Sequence, residues 1–322
     1  MNAEDMNPGE MSAEDMNPEE ISGTEIHPAA VRLGRFGIWT HHFDTLAPHH
    51  AQQLARDIEA LGWGALWYPE AVGREAFVNA ALLLSGTERI GVASGIASIW
   101  ARDAMSTHAA HLTIESWFPD RFVLGLGVSH EPMVAGVRGH VYDKPVAAMQ
   151  AYLTAADAAP FFAKRPETTP VRVLAALGPK MLALSRDQAD GAHPYLVTPE
   201  HTAQARPLLG LDRLLLPEQA VVVTDDPAEA RAAARGHLAI YLGLANYRNS
   251  WFRLGFTAED TENGGSDRLL DALVASGDAA TCATRLQAHL DAGADHVCVQ
   301  ALAATPEDLL RQLGELAGAL SL

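Results

Sequence analysis

Short apolar runs recur along this chain, each ending in a small or polar residue. Between them lie longer stretches in which apolar positions fall three or four apart. The runs are Arg35–Trp39, Ala65–Tyr68, Ile90–Ala93, Phe122–Gly127, Val171–Leu174, Ala192–Val197, Gln219–Val223 and His296–Gln300. Continuous short apolar runs bounded by turn residues read as strands buried on both faces, as in parallel sheets. The stretches between them read as helices: Pro48 to Leu61 closed by Gly62, Ala76–Leu84, about Ala104–Glu115, and Lys144–Ala156. Further helix starts lie at Gly178-Pro179-Lys180-Met181, Pro199-Glu200 and Asp226-Pro227, with a last helix from about Pro306.

Eight strands separated by helices predict an α/β fold, a TIM (β/α)8 barrel. A long helical insertion, Ala228 to about Leu273, separates strands seven and eight. An open doubly wound sheet is the competing architecture, but no Gly-x-Gly-x-x-Gly follows strand one. Residues 31–322 thus form one barrel domain. Residues 1–30 are a near-repeat, Met1-Asn-Ala-Glu-Asp-Met-Asn-Pro-Gly-Glu followed by Met11-Ser-Ala-Glu-Asp-Met-Asn-Pro-Glu-Glu. That composition cannot bury a core and reads as a disordered acidic tail.

The net charge of −17 changes this picture less than its size suggests. The tail holds eight acids and no Lys or Arg, so the barrel carries −9. An acidic body argues against nucleic acid as a partner. No secretory segment or membrane-length apolar run occurs, which points to a soluble cytoplasmic protein without a membrane partner. The two cysteines, Cys282 and Cys298, sit in apolar periodic segments and read as buried small hydrophobes.

In a barrel, the C-terminal strand ends face the active site. Here those ends are Thr40, His41 and His42; Glu70; Ser94 to Ala97; Gly127 to His130; Ala176 to Gly178; Tyr195; and Thr224. No His pair at helical spacing with a nearby Glu, no Asp-x-Asp cluster and no Gly-x-Ser-x-Gly elbow accompanies them, so no metal site is expected and metal-dependent or covalent hydrolysis is disfavoured. An imidazole ordinarily titrates near neutral pH, so His130 is a candidate proton carrier; His41 and His42 are candidates to contact substrate or to carry that proton instead. Glu70 either meets a cofactor or caps the next helix. Trp39 and Trp100 are candidates to line a pocket, whereas mid-strand Trp67 reads as core. Arg138, His140 and Tyr195 are candidate substrate contacts. Arg102 with Asp103 reads as a helix-entry ion pair.

Three segments carry a resemblance: Ser94-Gly-Ile-Ala-Ser-Ile-Trp-Ala-Arg-Asp103, Pro119-Asp-Arg-Phe-Val-Leu-Gly-Leu-Gly-Val-Ser-His130 and Ala175-Ala-Leu-Gly-Pro-Lys-Met181. The end of the chain, Ala288-His-Leu-Asp-Ala-Gly-Ala-Asp-His-Val-Cys-Val-Gln300, fits the last helix–strand unit. Over about residues 33–320 the chain resembles the luciferase-like monooxygenase superfamily, flavin- and deazaflavin-dependent barrel oxidoreductases. The segment Arg138-Gly-His-Val-Tyr-Asp-Lys-Pro145 makes it look most like the actinobacterial branch of coenzyme F420-dependent oxidoreductases.

The resemblance implies hydride transfer between the deazaflavin C5 and a small organic or natural-product substrate, by reduction of an activated C=C or C=N or by alcohol oxidation. It implies a non-proline cis peptide at Ser94-Gly95 and ring contacts from Trp39, Glu70, Ser94, Gly95, Ile96, Ala97, Gly127, Val128 and Ser129. Phosphate would lie at Ala176, Leu177, Gly178, Pro179 and Lys180, where a helix start favours an anion. A homodimer is the implied assembly. Two departures stand out: His130 occupies a position where some members carry a proton-donating Glu, and Leu177 replaces a smaller residue. An FMN-dependent two-component monooxygenase and a non-catalytic barrel acting as a binding partner are the alternatives.

Overall fold

The computed structural model describes residues 28–322. Its strands are β1 (Phe36–Trp39), β2 (Ala65–Tyr68), β3 (Gly91–Ser94), β4 (Ala97–Ser98), β5 (Phe122–Gly127), β6 (Val171–Leu174), β7 (Gly191–Ala192), β8 (Leu214–Leu215), β9 (Glu218–Val223), β10 (Val274–Gly277) and β11 (Val297–Ala301). The helices are α1 (Pro28–Leu33), α2 (Pro48–Ala60), α3 (Ala76–Ser85), α4 (Ala104–Trp117), α5 (Pro145–Asp157), α6 (Pro179–Gln188), α7 (Pro199–Leu209), α8 (Pro227–Leu238), α9 (Ala245–Arg253), α10 (Asp267–Leu273), α11 (Ala279–Asp291) and α12 (Pro306–Leu320).

Every strand pair is parallel, and the pairing runs β10-β9-β11-β1-β2-β3-β5-β6-β7-β8, with β4 beside β5. The chain from Leu214 to Val223 closes the ring. Its first half follows β7, through Leu216 N to Ala192 O (2.9 Å) and Glu218 N to Pro194 O (2.8 Å). At Pro217 it crosses to β11, whose Cys298 N donates to Pro217 O (2.8 Å). Eight strand positions thus form the expected TIM barrel. The structure adds β10, which lies where the helical insertion was expected to end and extends β9 outside the ring.

Side chains alternate along each strand. Phe36, Ile38, Leu66, Val92, Leu124 and Val299 face the helices in the main core. Trp39, Ala65, Trp67, Ala93, Val123, Val173 and Cys298 form a second cluster. Trp67 is fully buried, as its mid-strand position predicts, and both cysteines are buried and free. Helix α1 joins that second cluster through Ala29 and Leu33. It therefore starts within the last three residues of the expected tail, because Ala29 has an apolar surface to bury against. The rest of that tail lies outside the described residues.

Helix starts follow local chemistry. Glu75, Asp103, Thr198, Asp226, Ser266, Asp278 and Thr305 each accept a first-turn amide, and Pro stands in the first turn of α2, α5, α6, α7, α8 and α12. Among the described residues no helix is long and apolar enough to cross a membrane. A cavity of about 310 Å³, lined in part by Arg32, Glu115 and Arg121, opens beside α1 at the N-terminal strand ends. In barrels that face serves stability rather than chemistry.

Candidate active site

The C-terminal rim of the barrel gathers most of the residues singled out from the sequence. At the end of β3, Gly95 N donates to Tyr68 O (2.7 Å) and Gly95 O accepts from Trp39 Nε1 (3.0 Å). A Cβ on Gly95 would stand 2.5 Å from Trp39 Nε1 and 3.1 Å from His193 Nε2, so only glycine fits. The cis peptide is Gly95–Ile96, one bond later than Ser94-Gly95. Ser94 stays in register with Tyr68, and its hydroxyl bridges Gly125 O (2.9 Å) and Gly125 N (3.0 Å), so the chain leaves the sheet only after Gly95. Ser94 and Ala97 are thereby buried in the wall rather than presented at the rim. The space before Gly127 is filled by the Ile96 side chain.

Glu70 is committed to protein partners. One carboxylate oxygen accepts Ala76 N (3.0 Å), the other Ser98 N (2.8 Å), and Arg102 pairs with the first. Its side chain is 5% exposed, and Arg102 also reaches Glu75 (2.7 Å). Of the two roles open from the sequence, the geometry favours the anchor: Glu70 ties β2 to the segment after β3 and to the start of α3. Asp103 caps α4 and accepts from Ser106, so Arg102 and Asp103 do not form the expected pair.

His42 is buried with Nε2 at Ala303 O (3.2 Å), while exposed His41 stacks on it at 5.0 Å. Burial, then the neighbouring His41 charge, pushes the His42 pKa down. Elsewhere on the rim, Trp100 donates to Val128 O (2.9 Å) and stacks near His140 (6.3 Å). Arg138 reaches Ala71 O (3.3 Å), and Tyr142 donates to Ser129 O (3.2 Å), where the backbone is left-handed. His130 follows, 5.6 Å from Tyr247; burial lowers its pKa, opposed by a hydrogen bond with Asn246.

Ala176, Leu177, Gly178, Pro179 and Lys180 form the β6–α6 junction. Gly178 caps α6, Pro179 is its first residue, Ala176 is buried and Lys180 is exposed. Leu177 O receives His201 Nε2 (3.0 Å) and Arg253 Nη2 (3.0 Å). Arg253 is the member of this site that reading the sequence missed: it comes from α9, and no carboxylate pairs with it among the described residues. A helix start, an exposed lysine and an arginine without a carboxylate make an anion-receptive corner.

The insertion supplies a further missed group. Tyr195 donates to Gln300 Oε1 (2.7 Å) and accepts from Tyr241 (3.2 Å). Its ring lies 5.1 Å from Trp39 and 6.4 Å from Tyr247, and Tyr241 lies 5.5 Å from His237. The run of aromatics Tyr241, Tyr247 and Trp251 was the available signal. Below them, Glu218 is buried, with one oxygen accepting Leu196 N (2.8 Å) and the other without a partner among the described residues; burial pushes its pKa up to about 8.

The model of the family described as luciferase-like monooxygenase matches residues 33–296. A Mycobacterium tuberculosis protein with the provisional name coenzyme F420-dependent oxidoreductase Rv3520c is 26% identical over 271 residues, covering 69% of this chain and 78% of that protein. Among solved structures, the coenzyme F420-dependent tetrahydromethanopterin reductase of Methanopyrus kandleri has a TM-score of 0.72 at 16% identity, covering 89% and 99% of the two chains. The oxygenating constituent of 3,6-diketocamphane monooxygenase from Pseudomonas putida, solved with FMN, has a TM-score of 0.64 at 13% identity, covering 89% and 98%. At these identities the structural likenesses speak for the fold.

Proposed function

The chain belongs to the luciferase-like monooxygenase family, a family of oxidoreductases, and from that premise we propose that it is a coenzyme F420-dependent oxidoreductase acting on a small organic substrate. The observation that carries the reading is the start of α6, where Arg253 lies beside Gly178 and Lys180 is exposed on the first turn. It suits the phosphate of a nucleotide-like cofactor whose flat ring would lie toward Gly95 at the end of β3. The relative's name favours the deazaflavin over FMN.

Bound there, the deazaflavin supplies a carbon centre that gives or takes a hydride. The chain's own work is positional. Lys180, Arg253 and the α6 amides would hold the anionic end, and Trp39 braces the Gly95 carbonyl at the end of β3. His130, at the rim beside Tyr247 and Asn246, is disposed to take the proton released as an alcohol is oxidised. Tyr241 and Tyr247 of the insertion, packed on Tyr195, would shield the mouth from water.

Titration of the protein with F420 and FMN in parallel, followed by tryptophan fluorescence, tests the reading. Micromolar F420 binding with FMN ignored is the expected result, and K180A/R253A should weaken it at least tenfold. Tight FMN binding would replace the proposal with a flavin monooxygenase, and binding of neither would overturn it.

A further inference from the structure

The insertion places one polar atom where the barrel has no use for it. His237 Nε2, near the end of α8, is shut off from solvent and has no hydrogen-bond partner among the described residues. Buried polar atoms without partners are rare and call for an explanation. Its surroundings are rings: Tyr241 at 5.5 Å and Tyr195 at 6.4 Å, with Trp39 5.1 Å beyond Tyr195. The tyrosine hydroxyls do not serve it. Tyr241 donates to Tyr195 and Tyr195 donates to Gln300, so both protons run inward along a closed line.

We propose that His237, with the faces of Tyr241 and Tyr195, is the substrate-recognition subsite, and that it selects a neutral, planar ring compound bearing one hydrogen-bonding oxygen. This rests on the oxidoreductase reading above and names the substrate class it would act on. Ring faces favour a flat apolar body by offset or edge contact. Nε2 offers a single hydrogen bond to one oxygen. Among the described residues no Lys, Arg, Asp or Glu is hydrogen-bonded to these three residues; the acid whose charge the two tyrosines would feel, Glu218, has its pKa pushed up to about 8 by burial, and burial, then the neighbouring His41, pushes the His237 pKa down to about 4. A carboxylate or ammonium brought here would lose its hydration without a partner. The subsite also abuts the cofactor position, since Trp39 both touches Tyr195 and donates to Gly95 O.

The test uses the full chain, with and without F420, and acetophenone, benzoate and benzylamine as probes. Binding is read by ligand-observed NMR and by the ¹⁵N shift of His237 Nε2, assigned by its loss in H237Q. Acetophenone should bind and move that resonance. Benzoate and benzylamine should bind at least tenfold more weakly. H237F should weaken acetophenone at least tenfold, while H237Q, which keeps a donor, stays within threefold. Wild-type protein that ignores acetophenone in both states, H237F that binds it like wild type, or benzoate that matches it would each overturn the proposal. If H237F does not fold, the wild-type ¹⁵N shift and the charged probes decide alone. F420 titration of the same samples separates the two readings: loss of F420 binding in the wild type would sink the cofactor assignment while leaving the acetophenone result to judge the subsite.

Discussion

Replacing Glu70 with Ala should destabilise the protein by about 3 kcal/mol. The carboxylate accepts Ala76 N and Ser98 N and pairs with Arg102, whose side chain is only 12% exposed and whose Nη1 already lacks a partner among the described residues. Removing one member of a buried ion pair costs roughly 3–5 kcal/mol, and an amide left unpaired in the interior costs about 1–3 kcal/mol. Two features pull the total toward the lower end. Glu75 still reaches Arg102 at 2.7 Å and is 43% exposed, and the two amides lie near a rim that water can enter. An unfolding entropy of about 2 cal/mol/K per residue then converts 3 kcal/mol into a melting point roughly 5 °C lower. Thermal denaturation followed by circular dichroism measures it. E70Q, which keeps an acceptor but not the charge, should fall between wild type and E70A. A melting point for E70A within 1 °C of wild type would refute the anchoring argument. If E70Q instead lost F420 affinity while keeping its melting point, Glu70 would be a cofactor contact after all.

Three further outcomes follow from buried groups and close approaches. Glu218 has its pKa pushed from 4.5 to about 8, so the folded state holds a proton that the unfolded chain releases; stability falls as pH rises from about 4.5 to about 8. Urea denaturation should show E218Q gaining on wild type between pH 5 and pH 8, and equal pH profiles would contradict the assignment. His111 is driven the other way, from 6.5 to about 3 by burial, then by the Arg172 charge, so the unfolded chain binds the proton first and stability is lost as pH falls below about 6.5. H111F, which keeps a ring against Phe122, should therefore resist acid better than wild type in a pH-jump unfolding series. A Cβ on Gly125 would collide with the Ser94 carbonyl, so G125A should yield little soluble protein, and a normal yield with an unchanged melting point would show that the β3–β5 contact is looser than described.

The alternation of apolar runs with helical periods was sufficient by itself to specify eight strands in the right order, because period and turn chemistry are local properties of the chain. Strand ends follow from those runs, which is why Trp39, Glu70, Gly95, His130 and Gly178 could all be placed at one rim before any coordinates. The same local rules carried the helix starts at Asp226-Pro227 and Pro306. What the residues at that rim do was decided in three dimensions. Glu70 became an anchor because Arg102 and two amides from other segments converge on it, and no spacing in the chain encodes that convergence. Closure through Pro217 depends on one strand changing neighbours between β7 and β11. Arg253, His237 and Tyr241 escaped notice for the same reason. They lie in an insertion whose helical pattern says that it is folded but not where it lands, and only packing across the barrel mouth brings them to the β6–α6 corner and to Tyr195.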